Sequence, residues 1–323
     1  MRLRRVRLKG SDGFSTAVWD EGRWVPLRPA LDADVLALLG STELREEAAA
    51  VVEAARDQDP SATFELEPAA LPFAPLSLRA FSVFERHHVQ ASRGLVRRYM
   101  PAAARGVVSG FEKVSRRTFP ALKPKKLFYE KPIYYMGNHL TIYPDGADLP
   151  WPPYSRDLDF ELELGFVLAS PLRDASEAEA ADAIGGFFVV NDLSARDTQW
   201  REYREGLFGP VVKAKTFATA MSCEVVTADE VLTRVGALRG SVHVNGETWA
   251  EGSTSEMRHG PAAMVAYASE GEDLRAGEVF ATGTLPGCCG LELDRWIEPG
   301  DEVELEIESV GTLRNRIGAQ VAE

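Results

Sequence analysis

The sequence predicts an α+β protein, mainly β with helices attached. Three observations carry that reading. Alternating strand patterns recur from residue 158 to the C-terminus, Gly-containing turns separate them, and no regular strand–helix alternation of the parallel βαβ kind is present. At 323 residues the chain can bury a sizeable core, and its length suggests roughly two domains.

Residues 1–75 read as a small N-terminal α/β module. Short strands are expected around Arg2–Leu8, Ser15–Trp19 and Arg23–Pro26, followed by two helical stretches, the second running from Thr42 through Ala55 with an acidic first turn. Asp57-Gln-Asp-Pro-Ser61 and Pro72-Phe-Ala-Pro75 are linker-like, which places the boundary of a second domain, 76–323, beside them. Leu78 to Met100 has helical spacing, with Leu78, Phe81, Phe84, His88, Ala91 and Leu95 on one stripe. A long irregular stretch rich in Pro and basic residues is expected from there to Tyr134; loops of that length are often lids. Further on, Ser176-x-x-Glu179 is a capping box for a helix stopped by Gly185-Gly186, Phe187-Phe-Val-Val190 is an apolar strand, and another helix is expected near Pro261–Ala268.

Apolar and charged fractions of 45% and 26% are those of an ordinary soluble protein. A formal charge of -13 argues against nucleic acid or an anionic membrane surface as partner, while leaving small anionic substrates open wherever local cations outweigh the global field. Nothing resembles a transmembrane span or secretory segment, so a cytoplasmic location is expected. The three cysteines, Cys223, Cys288 and Cys289, match neither a disulfide framework nor a zinc spacing and read as small buried residues.

The most informative segment is Asp157-Leu-Asp-Phe-Glu-Leu-Glu-Leu-Gly-Phe-Val-Leu168. Leu158, Phe160, Leu162, Leu164, Phe166 and Leu168 share one parity, so Asp159, Glu161 and Glu163 project together from the other face, with neighbours about 6.5–7 Å apart. Such a cluster either faces water or lines a cleft in which a cation neutralises it. A second alternating run, Asp301-Glu-Val-Glu-Leu-Glu-Ile-Glu308, reads most simply as a solvated sheet face.

Asp192 ends the apolar strand, with Arg196 and Gln199 following at one-turn intervals. It is either a helix N-cap or a third carboxylate, which with Glu161 and Glu163 would complete an all-oxygen site suited to Mg²⁺, Mn²⁺ or Ca²⁺. Lys213 and Lys215 lie in an apolar stretch, at a solvated strand end or at a site. His88 has Glu85 three residues earlier on a helical face, close enough to orient an imidazole, and is otherwise a core histidine; His87 is the fallback.

The ordered set Leu158-Asp-Phe-Glu-Leu-Glu-Leu, Val190-Asn-Asp-Leu-Ser-Ala-Arg-Asp-Thr-Gln199, Lys215-Thr-Phe-Ala-Thr219 and Ala281-Thr-Gly-Thr-Leu-Pro-Gly287 resembles the fumarylacetoacetate hydrolase family. The resemblance spans about residue 78 to the C-terminus and implies that family's mixed β-sandwich roll. It makes Glu161, Glu163 and Asp192 the metal carboxylates, and matches Arg196, Gln199 and Lys215 to positions that hold the substrate's carboxylate and oxo groups. Tyr135, Thr284 and Thr219 look like pocket-lining residues. Glu292 aligns with the glutamate that partners a catalytic histidine, here aligned to His88. Some hydrolases of the family carry a further aspartate where this chain reads Ala80-Phe-Ser-Val83, a departure that removes fumarylacetoacetate itself from the inference.

What the resemblance implies is a metal-dependent hydrolase that cleaves a carbon–carbon bond of an acylpyruvate or 1,3-diketo acid, acting as a homodimer on a small anionic 2-oxo acid. The same enolate chemistry also serves isomerisation, decarboxylation or hydration of a dienoate. A metal-stabilised binding protein without turnover is the reading from a different class.

Overall fold

The computed structural model describes residues 1–10, 13–56, 64–65 and 70–320; the linker read at Asp57–Ser61 lies outside the described residues. Two sheets dominate. The larger runs Arg23–Pro26, Phe14–Asp20, Arg2–Leu8, Glu224–Thr227, Ile184–Asn191, Glu161–Leu168, Glu278–Cys289, Ser77–Phe81 and Tyr134–Gly137 in spatial order. The smaller has Glu247–Ser253, Arg239–Val244, Glu302–Ile307, Gly311–Gln320 and Asp148–Trp151 side by side. Most pairings are antiparallel; Glu278–Cys289 against Ser77–Phe81, Thr219–Met221 against Ile142–Pro144 and Gly311–Gln320 against Asp148–Trp151 are parallel.

The two sheets close on one core. Leu162, Leu164, Phe166 and Phe280 of the large sheet bury their side chains in the same cluster as Val242, Val244, Val303, Leu305, Ile307 and Leu313 of the small one. The glutamates of the second alternating run point the other way: Glu302, Glu306 and Glu308 are exposed, as a solvated face requires.

The strand Glu161–Leu168 is buried along its whole length, between Ile184–Asn191 and Glu278–Cys289. Its second face is covered too. Val167, Val190 and Phe188 join Leu3, Val18, Val25 and Leu38 of the first 75 residues in a second core. Contact on that side is close enough that a Cβ at Gly165 would stand 2.4 Å from the Phe188 ring. The strands Arg2–Leu8, Phe14–Asp20 and Arg23–Pro26 therefore extend the large sheet, through Arg2–Leu8 paired with Glu224–Thr227, and share its hydrophobic interior.

Two expectations are corrected. Residues 77–81 form a strand instead of the first turn of a helix, because they pair in parallel with Glu278–Cys289; the helix runs Glu85–Tyr99. The stretch after Met100 is not irregular: Ala102–Ser115 is helical, starting after Pro101 and ending at Arg116 in the left-handed conformation, and Lys126–Glu130 adds a further turn. Alanine at 102–104 supplies the helix propensity that the Pro and basic content of the wider stretch conceals. The Ser176–Glu179 capping box and the helix Pro261–Ser269 form as expected.

Candidate active site

The strand ends bring the acids together. Glu161 and Glu163 share the face on which Gly165 and Val167 meet the second core, and Asp192 follows directly on the neighbouring strand Ile184–Asn191. Those two strand ends are laced: the Glu161 amide donates to Asn191 Oδ1 at 3.0 Å, and the Asp192 amide donates to the Glu161 carbonyl at 3.2 Å. Asp192 is not a helix N-cap; the next helix, Arg196–Glu205, is capped at Ala195. Glu161, Glu163 and Asp192 each offer a carboxylate oxygen, and these oxygens lie within 4.8 Å of one another.

Around them the hydrogen bonds are specific. Lys215 Nζ donates to Asp192 Oδ2 at 2.7 Å and pairs with Glu161. Tyr135 donates its hydroxyl to the same Asp192 oxygen at 2.8 Å, and the Gly283 amide donates to Glu163 Oε2 at 3.0 Å. Lys213 is exposed over the Tyr154 ring and takes no part.

Arg196 is bonded into the acid cluster. Its guanidinium is 2% exposed and donates to Asp159 Oδ2 at 2.8 Å, to Glu161 Oε1 at 2.6 Å and to Gln199 Oε1 at 2.9 Å. Those bonds hold it against Glu161 and Asp159, with Gln199 beside it. Gln199 is engaged likewise, accepting from Arg196 and donating to the Pro210 carbonyl. Asp159 sits in a separate two-residue strand, also accepts the Gly290 and Leu291 amides, and anchors Arg196. Arg196→Met should cost about 3–5 kcal/mol in urea denaturation, because it strands the buried Asp159 without its cation and leaves Glu161 with Lys215 alone. A stability loss under 1 kcal/mol would contradict this account.

The electrostatics show what the cluster lacks. Asp159, Glu161, Glu163 and Asp192 are buried with Arg196 and Lys215, so four acids face two cations and the cluster is two positive charges short. Burial opposes ionisation of Glu161, but Arg196 and then Lys215 hold its pKa below the usual range. For Glu163 the balance reverses: burial, then repulsion from Asp192 and Glu161, outweigh Lys215 and the Gly283 amide and push it well above its ordinary value. Burial likewise raises Asp192, and one of its oxygens, Oδ1, is buried without any hydrogen-bond partner. Tyr135 stays a phenol, raised by burial and the Asp192 charge. An orphaned carboxylate oxygen, three converging hard oxygen donors and a deficit of two charges are what a divalent ion fits.

The histidine differs from the expectation by one residue. His87, not His88, bonds Glu292 through Nδ1, and its Nε2 lies 4.0 Å from Glu161 Oε1, at the edge of the acid cluster. Glu292 is itself fixed, its Oε2 accepting the Gly287 amide at 2.9 Å. His88 turns away to pack on Phe128, where burial lowers its pKa. Glu85 does not orient it; that carboxylate accepts the Tyr129 hydroxyl at 2.7 Å. The core-histidine alternative holds for His88, whose stripe packs inward, and the residue before it, about 100° round the helix, meets Glu292.

Thr284 is buried opposite Glu163 in the sheet register, and Thr219 is buried in the strand Thr219–Met221. Two groups escaped sequence reading as site members. Cys289, paired with Glu161 across the sheet, points its thiol toward Glu292, Sγ to Oε1 3.6 Å. Asp159's anchoring role was the other; its place two residues before Glu161 was the only signal.

The family profile for the fumarylacetoacetate (FAA) hydrolase C-terminal region matches residues 106–318. The chain belongs to the fumarylacetoacetate hydrolase family. It is 31% identical over 170 residues to the mitochondrial oxaloacetate tautomerase of Homo sapiens, covering 53% of this chain and 76% of that one. It is 32% identical over 188 residues to the 4-hydroxyphenylacetate degradation bifunctional isomerase/decarboxylase of Escherichia coli, covering 58% of this chain but only 42% of that enzyme. Among solved structures, maleylpyruvate hydrolase from Sphingobium sp. SYK-6, in complex with manganese(II) and pyruvate, superposes with a TM-score of 0.67 at 18% identity, covering 99% of this chain and 100% of that one. The family therefore includes hydrolases, tautomerases, isomerases and decarboxylases of small organic acids. No helix among the described residues is long and apolar enough to cross a membrane.

Proposed function

We propose that this member is a divalent-metal-dependent hydrolase that cleaves a carbon–carbon bond in an acylpyruvate or related 1,3-diketo acid. The observation that carries the reading is the His87–Glu292 pair at the rim of the Glu161, Glu163 and Asp192 cluster. Bound by those three carboxylates, Mg²⁺ or Mn²⁺ supplies Lewis-acid stabilisation of the negative charge that develops on the oxygens of a 2-oxo acid.

The chain's own residues do the rest. Glu292 accepts from His87 Nδ1–H, which fixes the tautomer and leaves Nε2 as the basic atom facing the pocket. Nε2 takes a proton from water as the water oxygen adds to the distal carbonyl, and the imidazolium returns that proton to the departing pyruvate-like carbanion. Arg196 and Asp159 hold Glu161 in place, and Tyr135 and Lys215 hold Asp192. Thr284, Thr219 and the Lys215 ammonium are the groups we assign to the substrate's side of the pocket. In this reading the enzyme works as a homodimer, which sedimentation of the purified protein checks.

The second reading is tautomerisation or decarboxylation, favoured by the sequence likeness to oxaloacetate tautomerases. His87 would then shuttle a proton between carbon and oxygen without a water nucleophile. Product analysis with Mg²⁺ separates the two. Hydrolysis releases pyruvate and a carboxylic acid in equal amounts from an acylpyruvate. Intact acylpyruvate alongside rapid keto–enol exchange or CO₂ loss from oxaloacetate defeats the hydrolase reading.

A further inference from the structure

We infer that His87, Cys289 and Glu292 form a second cation site beside the carboxylate cluster, one that takes a thiophilic ion such as Zn²⁺ or Cd²⁺. The three side chains present a nitrogen, a sulfur and an oxygen within 4.8 Å of one another. Mixed donors of this kind suit a borderline or soft ion, whereas the all-oxygen cluster next door suits a hard one.

The spacing matches tetrahedral coordination. Ligands about 2.3 Å (sulfur) and 2.1 Å (oxygen) from one ion, at the tetrahedral angle, lie roughly 3.6 Å apart. Cys289 Sγ and Glu292 Oε1 are 3.6 Å apart. His87 Nδ1 already contacts the same Oε1; opening that hydrogen bond, with the ring proton moved from Nδ1 to Nε2, frees the Nδ1 lone pair for an ion between them.

The scaffold is rigid. Cys289 ends the strand Glu278–Cys289 and Glu292 lies in the short helix Gly290–Leu293 that follows it. Gly94 lets the helix Glu85–Tyr99 lie directly on that turn, since a Cβ there would sit 2.4 Å from the Leu291 carbonyl. The Gly287 amide holds Glu292 Oε2 and leaves Oε1 to face the ion. Cys289 and the Glu292 side chain are buried, while His87 keeps 13% of its side chain exposed and provides the way in. Burial keeps the Cys289 thiol protonated, so coordination replaces the S–H bond with a sulfur–metal bond and releases one proton to solvent. Occupancy puts the ring proton on Nε2 and so takes His87 out of service as the base, a consequence that rests on the proposed function; the binding itself does not.

The test titrates Cd²⁺ into the full-length protein saturated with Mg²⁺, following the ultraviolet thiolate-to-cadmium charge-transfer band and the bound stoichiometry by equilibrium dialysis. One Cd²⁺ per chain is expected, with the band abolished in Cys289→Ser and Cys289→Ala and kept in Cys288→Ser. His87→Ala and Glu292→Gln should each weaken Cd²⁺ by at least about tenfold, since losing even an outer partner of a metal ligand typically costs that much. A band that survives in folded Cys289 variants overturns the inference. So does Cd²⁺ affinity that falls in Asp192→Asn but not in His87→Ala, which would put the ion among the carboxylates. Cd²⁺ binding in a protein that hydrolyses nothing leaves this site standing and the proposed function fallen.

Discussion

Glu163→Gln and Asp192→Asn should each weaken Mg²⁺ or Mn²⁺ binding by about a hundredfold or more, beyond the 10–100-fold that loss of an outer-shell partner costs. The reason is the charge arithmetic of the site, where four buried acids meet two buried cations. Each change removes one of three converging carboxylates. The effect on the ion-free protein has the opposite sign for Glu163. That carboxylate is buried, repelled by Asp192 and Glu161, and has no basic side chain bonded to it, so a neutral amide relieves a cost. Its ion-free melting temperature should be unchanged or higher.

Added ion then separates the proteins. At an ion concentration about a hundred times the wild-type Kd, the wild type gains roughly 2.7 kcal/mol, and a variant weakened a hundredfold gains only about 0.4 kcal/mol. Calorimetric titration and melting with and without the ion measure both quantities. Wild-type affinity in Asp192→Asn would remove that residue from the ligand set.

The second large effect separates adjacent histidines. His87→Ala should lower kcat by about 10²–10⁴, the usual contribution of a positioned acid–base group, with ion affinity and melting temperature close to wild type. Glu292→Gln should fall in the same direction, because its single acceptor oxygen cannot serve both the Gly287 amide and His87 Nδ1–H. His88→Ala should keep kcat and lose stability instead, since that ring packs on Phe128 away from the acids. Steady-state kinetics on the substrate identified by product analysis, run beside thermal melts, read out all three. Wild-type kcat in His87→Ala would remove the dyad from the mechanism.

That histidine pair shows where sequence reading stops. A helix between residues 85 and 99 is legible from spacing, and its stripe puts His88 on the packed side, but spacing does not say which neighbouring side chain meets a distant carboxylate. One residue in an α-helix is about 100° of rotation. Residues 77–81 have helical spacing and yet pair as a strand with Glu278–Cys289, and Glu292, the partner that meets His87, comes from the turn after that strand, some two hundred residues along the chain. Arg196 is a similar case: its place one turn before Gln199 is readable, whereas its engagement by Asp159 and Glu161 needs two strands to meet.

The two acidic alternating runs mark the same limit. In each, parity alone separates the apolar side from the acidic one, because successive strand residues point to opposite faces. Glu302, Glu306 and Glu308 remain in water, while Glu161 and Glu163 are enclosed between neighbouring strands and beneath a second core. The sequence by itself determined which residues are acids, which side of each strand they occupy, and that Asp192 closes an apolar strand. Only the tertiary structure decided that three of those acids share one buried volume with too few cations, because desolvation and repulsion depend on distances between segments far apart in the chain.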